Sequence, residues 1–96
     1  MLVPFSNLPD ESRVWIYQAS RPFSNEEKIS IVEELETFLK QWAAHGADLV
    51  TSYEIPYNRF IVIGLNENPQ GATGCSIDSS VRFIQTLESK YQIELL

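Results

Sequence analysis

Few residues in this chain are of the types that do chemistry: there is one cysteine, Cys75, and one histidine, His45. Cys75 lies in Gly71-Ala72-Thr73-Gly74-Cys75-Ser76, which leads into an amphipathic run from about Ile77. Glycines and free amides ahead of a helix can hold an anion. Gly71, Thr73, Gly74 and Ser76 are therefore candidate anion-binding residues, with Arg21 as the cation expected to face them. The same place makes Cys75 the one candidate catalytic thiol, because a helix N-terminus raises a thiol's thiolate fraction. A nucleophile needs a nearby base, and the topology expected below puts His45 at the opposite end of the sheet. Asp78 could orient groups near Cys75, although a carboxylate beside a thiol works against the thiolate. The competing reading is an ordinary capped loop with a small, half-buried cysteine. The turn is not a phosphate-binding P-loop, since Cys75 stands where the lysine should follow the last glycine.

Other chemistries lack their residues. A single Cys and a single His make no Cys/His metal set, so no metal is expected. No dinucleotide glycine pattern, Ser-His-Asp order or metalloprotease helix occurs, and no cofactor is expected. Glu33, Glu34, Glu36 and Glu88 fall on wet helix faces. His45, just before Gly46, reads as a histidine favoured by a helix C-terminus.

Charge narrows the partners. The chain has 96 residues with 7 Lys+Arg against 13 Asp+Glu, a formal net charge of −6. Such a chain is a poor partner for nucleic-acid backbones and anionic membranes. At 44% hydrophobic, it has the composition of one globular core. One cysteine forms no internal disulfide, which fits a reducing compartment. No apolar run approaches the ~18–20 residues of a spanning helix. Met1–Phe5 lacks the basic and apolar blocks of a signal peptide. A cytoplasmic protein is expected.

The positioning elements follow from periodicity and punctuation. Residues 1–12, with Pro4 and Pro9, read as an N-terminal arm, and 13–96 as a single α+β domain. Arg13–Ala19 is β-branched and aromatic, hence strand one. Ser24 and Glu27 form a capping box ahead of Ile29, Val32, Leu35, Phe38, Leu39 and Trp42 at helical spacing. Gly46 is the expected stop of that helix. Leu49–Tyr57 is strand two, placed at an edge by Pro56. Phe60–Leu65, apolar except Gly64, is strand three and central. A second helix runs from about Ile77, capped by Ser76 or Asp78, and Ile93–Leu96 is a candidate last strand.

The order β-α-β-β-α-β is that of the ferredoxin-like split β-α-β, with two helices on one face of an antiparallel sheet. Strands one and three are expected in the centre and parallel, with both helix N-termini at one end. Alternation then leaves Trp15, Tyr17, Phe60 and Val62 on the open face, with Tyr53 and Tyr57 beside them. Aromatic patches of this kind mark interfaces. Two coverings remain open: the arm, through Leu2, Val3, Phe5 and Leu8, or a second copy in a homodimer. RNA is disfavoured, because Arg59–Leu65 lacks the basic-Gly-aromatic start of the RNA-binding consensus.

Three stretches carry a resemblance: Arg13-Val14-Trp15-Ile16-Tyr17-Gln18, Gln41-Trp42-Ala43-Ala44-His45-Gly46-Ala47 and Gly74-Cys75-Ser76-Ile77-Asp78-Ser79-Ser80-Val81. Together the chain resembles a family of small uncharacterised bacterial proteins whose members often carry the label "ABC transporter ATPase". The resemblance spans nearly the whole chain. It implies a cytoplasmic protein and carries over no catalytic residue; no Walker lysine or Walker acid accompanies it here. It also implies relatives that run on past the position of Leu96, so this chain is expected to be a shortened member or a fragment.

Overall fold

The computed structural model describes all residues, Met1–Leu96. Helix α1 (Asn25–Gln41) starts where its capping box requires. The Ser24 hydroxyl accepts from the Glu27 N–H at 3.1 Å, and the Glu27 carboxylate accepts from the Ser24 N–H at 2.9 Å. Helix α2 (Gly74–Tyr91) starts earlier than expected, on Thr73. Its hydroxyl accepts from Ser76 N–H, and the Ser76 hydroxyl accepts from Thr73 N–H. Between the helices lie strands β2 (Ala43–Ala44), β3 (Ala47–Asp48), β4 (Val50–Glu54) and β5 (Phe60–Asn66); β1 (Arg13–Gln18) precedes α1. No helix is long and apolar enough to cross a membrane.

The fold is α+β, with two helices, a three-stranded antiparallel sheet and a two-stranded one. The main sheet has the order β1-β5-β4, so the nearly all-apolar β5 is central. Three expectations need correction. First, β1 is an edge strand and runs antiparallel to β5, pairing Trp15 with Ile63 and Tyr17 with Ile61. Since β4 is also antiparallel to β5, β1 and β4 share a direction, and α1 returns against them.

Second, Ile93–Leu96 is not a strand. Gln92 turns the chain with a left-handed backbone (φ 55°, ψ 51°), and the Glu88 carboxylate takes the N–H groups of Leu95 and Leu96 at 2.7 and 3.0 Å. Those amides are spent on a side chain instead of a ladder.

Third, α1 stops at Gln41 and not at Gly46. Trp42 leaves the helical backbone and sends its indole N–H to the Ser76 carbonyl at 2.8 Å. His45 and Gly46, both at positive φ (52° and 75°), then turn the small β2–β3 hairpin. His45 is thus a hairpin residue and not a helix terminus.

The core lies between the helices and one sheet face. Ile31, Leu35 and Leu39 of α1 and Ile84 and Leu87 of α2 are fully buried, as are Ile61, Ile63 and Leu65 of β5. Each such side chain contributes roughly 1.5–3 kcal/mol of hydrophobic stabilisation. Phe38 and Phe83 stack between the helices with centroids 4.6 Å apart.

Candidate functional site

Two regions hold the residues singled out above: the turn into α2 and the sheet face away from the helices.

In the turn, Gly71, Thr73, Gly74, Cys75 and Ser76 are brought together, but their amides are largely spoken for. Ala72 N–H donates to the Glu67 carboxylate at 3.0 Å, Thr73 N–H to Ser76 Oγ at 2.8 Å, and Ile77 N–H to the Thr73 carbonyl at 2.9 Å. The Glu67 carboxylate also lies 3.3 Å from where a Cβ on Gly71 would stand. A negative group of the chain already sits where an anion would bind.

Arg21 is elsewhere. It makes a bidentate pair with Glu27 at 2.8 and 2.9 Å and donates to the Tyr91 carbonyl at 2.9 Å. With β1 and β5 antiparallel, the helices run in opposite senses, so the start of α1 meets the end of α2. The anion reading thereby loses its only cation, which corrects the expected pairing of Arg21 with Gly71–Ser76. The guanidinium, followed by the Ser24 N–H, holds the Glu27 carboxyl down at about 2. The same antiparallel arrangement corrects the placement of His45. It lies with Cys75 at one end of the sheet, since Trp42 bonds Ser76 across the helix ends. Both side chains are exposed, and no hydrogen bond joins them.

On the sheet, the register sorts the faces opposite to expectation for β1. Trp15, Ile63 and Tyr53 share a row, as do Tyr17 and Ile61, and these rows lie under the helices. Trp15 meets Trp42 edge-on at 5.8 Å. Burial pushes the Tyr17 phenol up, with the Ser80 hydroxyl acting the other way. Tyr53 donates to the Glu36 carboxylate on α1; burial and that carboxylate push its phenol up to about 12. Trp15, Tyr17 and Tyr53 therefore do not line the open face. Large rings with one polar atom fill space under a helix and find a partner there.

The open face carries Val14, Ile16, Phe60 and Val62. Val14 and Ile16 are 45% and 66% exposed, and Phe60 and Val62 are half-buried. Tyr57, 88% exposed, stands on the β4–β5 turn, where it and Asn58 adopt left-handed backbone (φ 57° and 51°). Its ring meets Phe60 edge-on at 6.4 Å.

The arm covers the other half of this face. A Cβ on Gly64 would lie 2.5 Å from Leu8 Cδ1 and 3.5 Å from Phe5 Cε2, so glycine is what lets the arm lie down on the sheet. Ser52 is buried on the same face. Alternation with Trp15 and Tyr17 would put Val14 and Ile16 under the helices, but the structure leaves this aliphatic pair exposed. The usable signal was Gly64, which puts its own face under a crossing segment and leaves the opposite row, Ile61-Ile63-Leu65, for the helices. Comparison with known proteins yields no matching family model, no matching curated protein and no matching solved structure.

Proposed function

We propose that this chain is a non-enzymatic interaction module that self-associates through the uncovered β1 side of its sheet. The carrying observation is Ile16, a β-branched residue 66% exposed beside Val14, Val62 and Phe60 on one face. Contiguous apolar surface of this kind favours an interface over solvent. The corrected patch is aliphatic and smaller than expected, with Tyr57 and Phe60 as its aromatic end. A homodimer in the cytoplasm is the form proposed, supported by the lone unpaired Cys75 and by the resemblance to the small bacterial family. A ferredoxin-like reading of the fold is supported by β5 lying between β1 and β4, the strands that α1 connects.

The test is sedimentation equilibrium from about 1 µM to about 1 mM. The expected mass rises from the chain's 11.0 kDa toward twice that value. Ile16→Lys is expected to hold the mass at one chain while changing stability by under about 0.5 kcal/mol, because the site is exposed. A single-chain mass throughout for the unaltered protein overturns the proposal.

A second, thiol-based reading rests on Cys75, exposed in the first turn of α2. It predicts alkylation at neutral pH faster than for a free thiol. A pH profile matching a free thiol removes it.

A further inference from the structure

Met1–Leu8 lies on the sheet as a separate peptide would. None of its residues is fully buried, whereas Thr51 and Ser52 of the strand it covers are. Its inward residues recur at every third position: Leu2, Phe5 and Leu8 are half-buried, while Pro4, Ser6 and Asn7 are exposed. A 3-10 turn over Phe5–Asn7 brings Phe5 and Leu8 to one side, because such a turn repeats every three residues. Both close on Gly64, and Leu2 packs against the core. Leu2 is also the parallel neighbour of Thr51 on the β4 edge, where the Thr51 N–H donates to the Met1 carbonyl and its C=O accepts from Val3.

That grip is short. Ladder alternation puts the N–H and C=O of Tyr53 on the same edge as those of Thr51. The turn at Phe5 carries the arm away before it reaches them, and no backbone group outside the sheet bonds them. The segment that joins the arm to β1 is also incompletely satisfied. Ser12 N–H closes a turn onto the Pro9 carbonyl at 3.0 Å, but Ser12 Oγ is the molecule's one buried side-chain polar atom without a hydrogen-bond partner.

We infer that the arm is an internal stand-in, and that the strip beneath it is a docking groove for an extended segment of another protein with the same chemistry. The groove consists of the Thr51 edge of β4 and the shallow trough over Ser52 and Gly64. Its occupant is uncharged and apolar at every third residue, because residues 1–9 bear no charge and turn Leu2, Phe5 and Leu8 inward. A segment carrying carboxylates is disfavoured, since Asp48 and Glu54 flank Leu49–Tyr53 along the chain and Asp10 and Glu11 follow the arm. Main-chain bonds to the edge give such a segment its affinity, and the trough gives it specificity. The groove lies across the sheet from β1, so it goes beyond the self-association proposed above and does not depend on it.

The probe is a dye-labelled synthetic peptide of residues 1–9, read by fluorescence anisotropy. It is added to the full chain and to a full-chain double variant, Phe5→Ser with Leu8→Ser, in which the arm is loosened and the groove is untouched. The peptide binds the double variant at least roughly tenfold more tightly, because in the unaltered chain only the fraction with an open arm can receive it. Adding Gly64→Val to the double variant fills the trough and weakens binding roughly tenfold. No binding to the double variant up to about 1 mM peptide, equal binding to both chains, or indifference to Gly64→Val overturns the groove. Amide exchange in the unaltered chain tests it without any variant. Thr51 N–H exchanges at least roughly tenfold faster than Leu35 N–H inside α1, because the arm opens while the fold stays closed. Equal rates overturn the groove, and so does Thr51 protection that rises with the concentration of the chain alone, which gives the seat to a second copy's arm.

Discussion

The two edges of the main sheet have the same backbone chemistry and opposite treatments. At β4, the arm runs alongside as a parallel bridge. Thr51 N–H donates to the Met1 carbonyl at 2.9 Å, Val3 N–H to the Thr51 carbonyl at 2.8 Å, and the Met1 amine to the Leu49 carbonyl at 2.6 Å. Thr51 is fully buried as a result. The arm then crosses the open face at Gly64. At β1 nothing comparable happens until Ser20. An unprotected edge with exposed β-branched side chains is normally blunted by charge, proline or a bulge. Between Val14 and Tyr17 there is none of these. The chain covers one edge with its own N-terminal segment and has no strand paired along the other between Val14 and Tyr17.

Removing residues 1–8 breaks the contrast most severely. Both edges and the Gly64 half of the face would then be bare, and the expected outcome is open-ended association, seen by light scattering as masses above two chains. Gly64→Val leaves the arm in the chain but takes away its seat. Because Leu8 and Phe5 must move, a loss of roughly 1–3 kcal/mol is expected in urea unfolding. No such cost at this position would mean that the arm is loosely held and the edges are less different than described.

The smallest effect comes from the covered side alone. Tyr53 on β4 has its phenol raised to about 12 from an ordinary 10.0, chiefly by burial and then by Glu36. A folded pKa above the unfolded one gives a contribution that is complete below pH 10 and lost as pH rises toward 12. The phenol is partly solvated, so the loss should stay under about 1 kcal/mol. Tyr17 and Tyr91 are also raised and share the alkaline window. Tyr53→Phe should therefore make the alkaline decline in stability shallower without abolishing it, measured by urea midpoints between pH 9 and about 12.

Local signals were legible and long-range ones less so. Ser24 and Glu27 specify the start of α1 through bonds three residues apart, and the apolar run Phe60–Leu65 specifies a central strand through its own composition. Thr73 and Ser76 make the same reciprocal cap with a hydroxyl in place of the usual carboxylate, which hid the true start of α2. The face of β1 was not legible from that strand, because Val14 and Ile16 are as apolar as Trp15 and Tyr17. Parity is decided by where the helices lie, a tertiary fact. The β2–β3 hairpin is too short for any periodicity. Ile93–Leu96 has strand composition, but Glu88, one helical turn before the end of α2, captures its amides. Of the expected turn Gly71–Ser76, only Gly71–Thr73 is non-helical, and Gly74–Ser76 already form the first turn of α2. Its supposed cation was misplaced, because a reversed strand direction carries α1's first residues to the far end of the molecule.

Trp15 and Trp42 are the molecule's two indoles, and they touch edge-on at 5.8 Å. One is anchored inside by its bond to Ser76, while the other sits in the rim strand. The chain thus carries a built-in optical gauge: unfolding should change the emission of both rings together, and loosening of the rim strand should change that of Trp15 first, so folding can be followed by colour and intensity without any added dye.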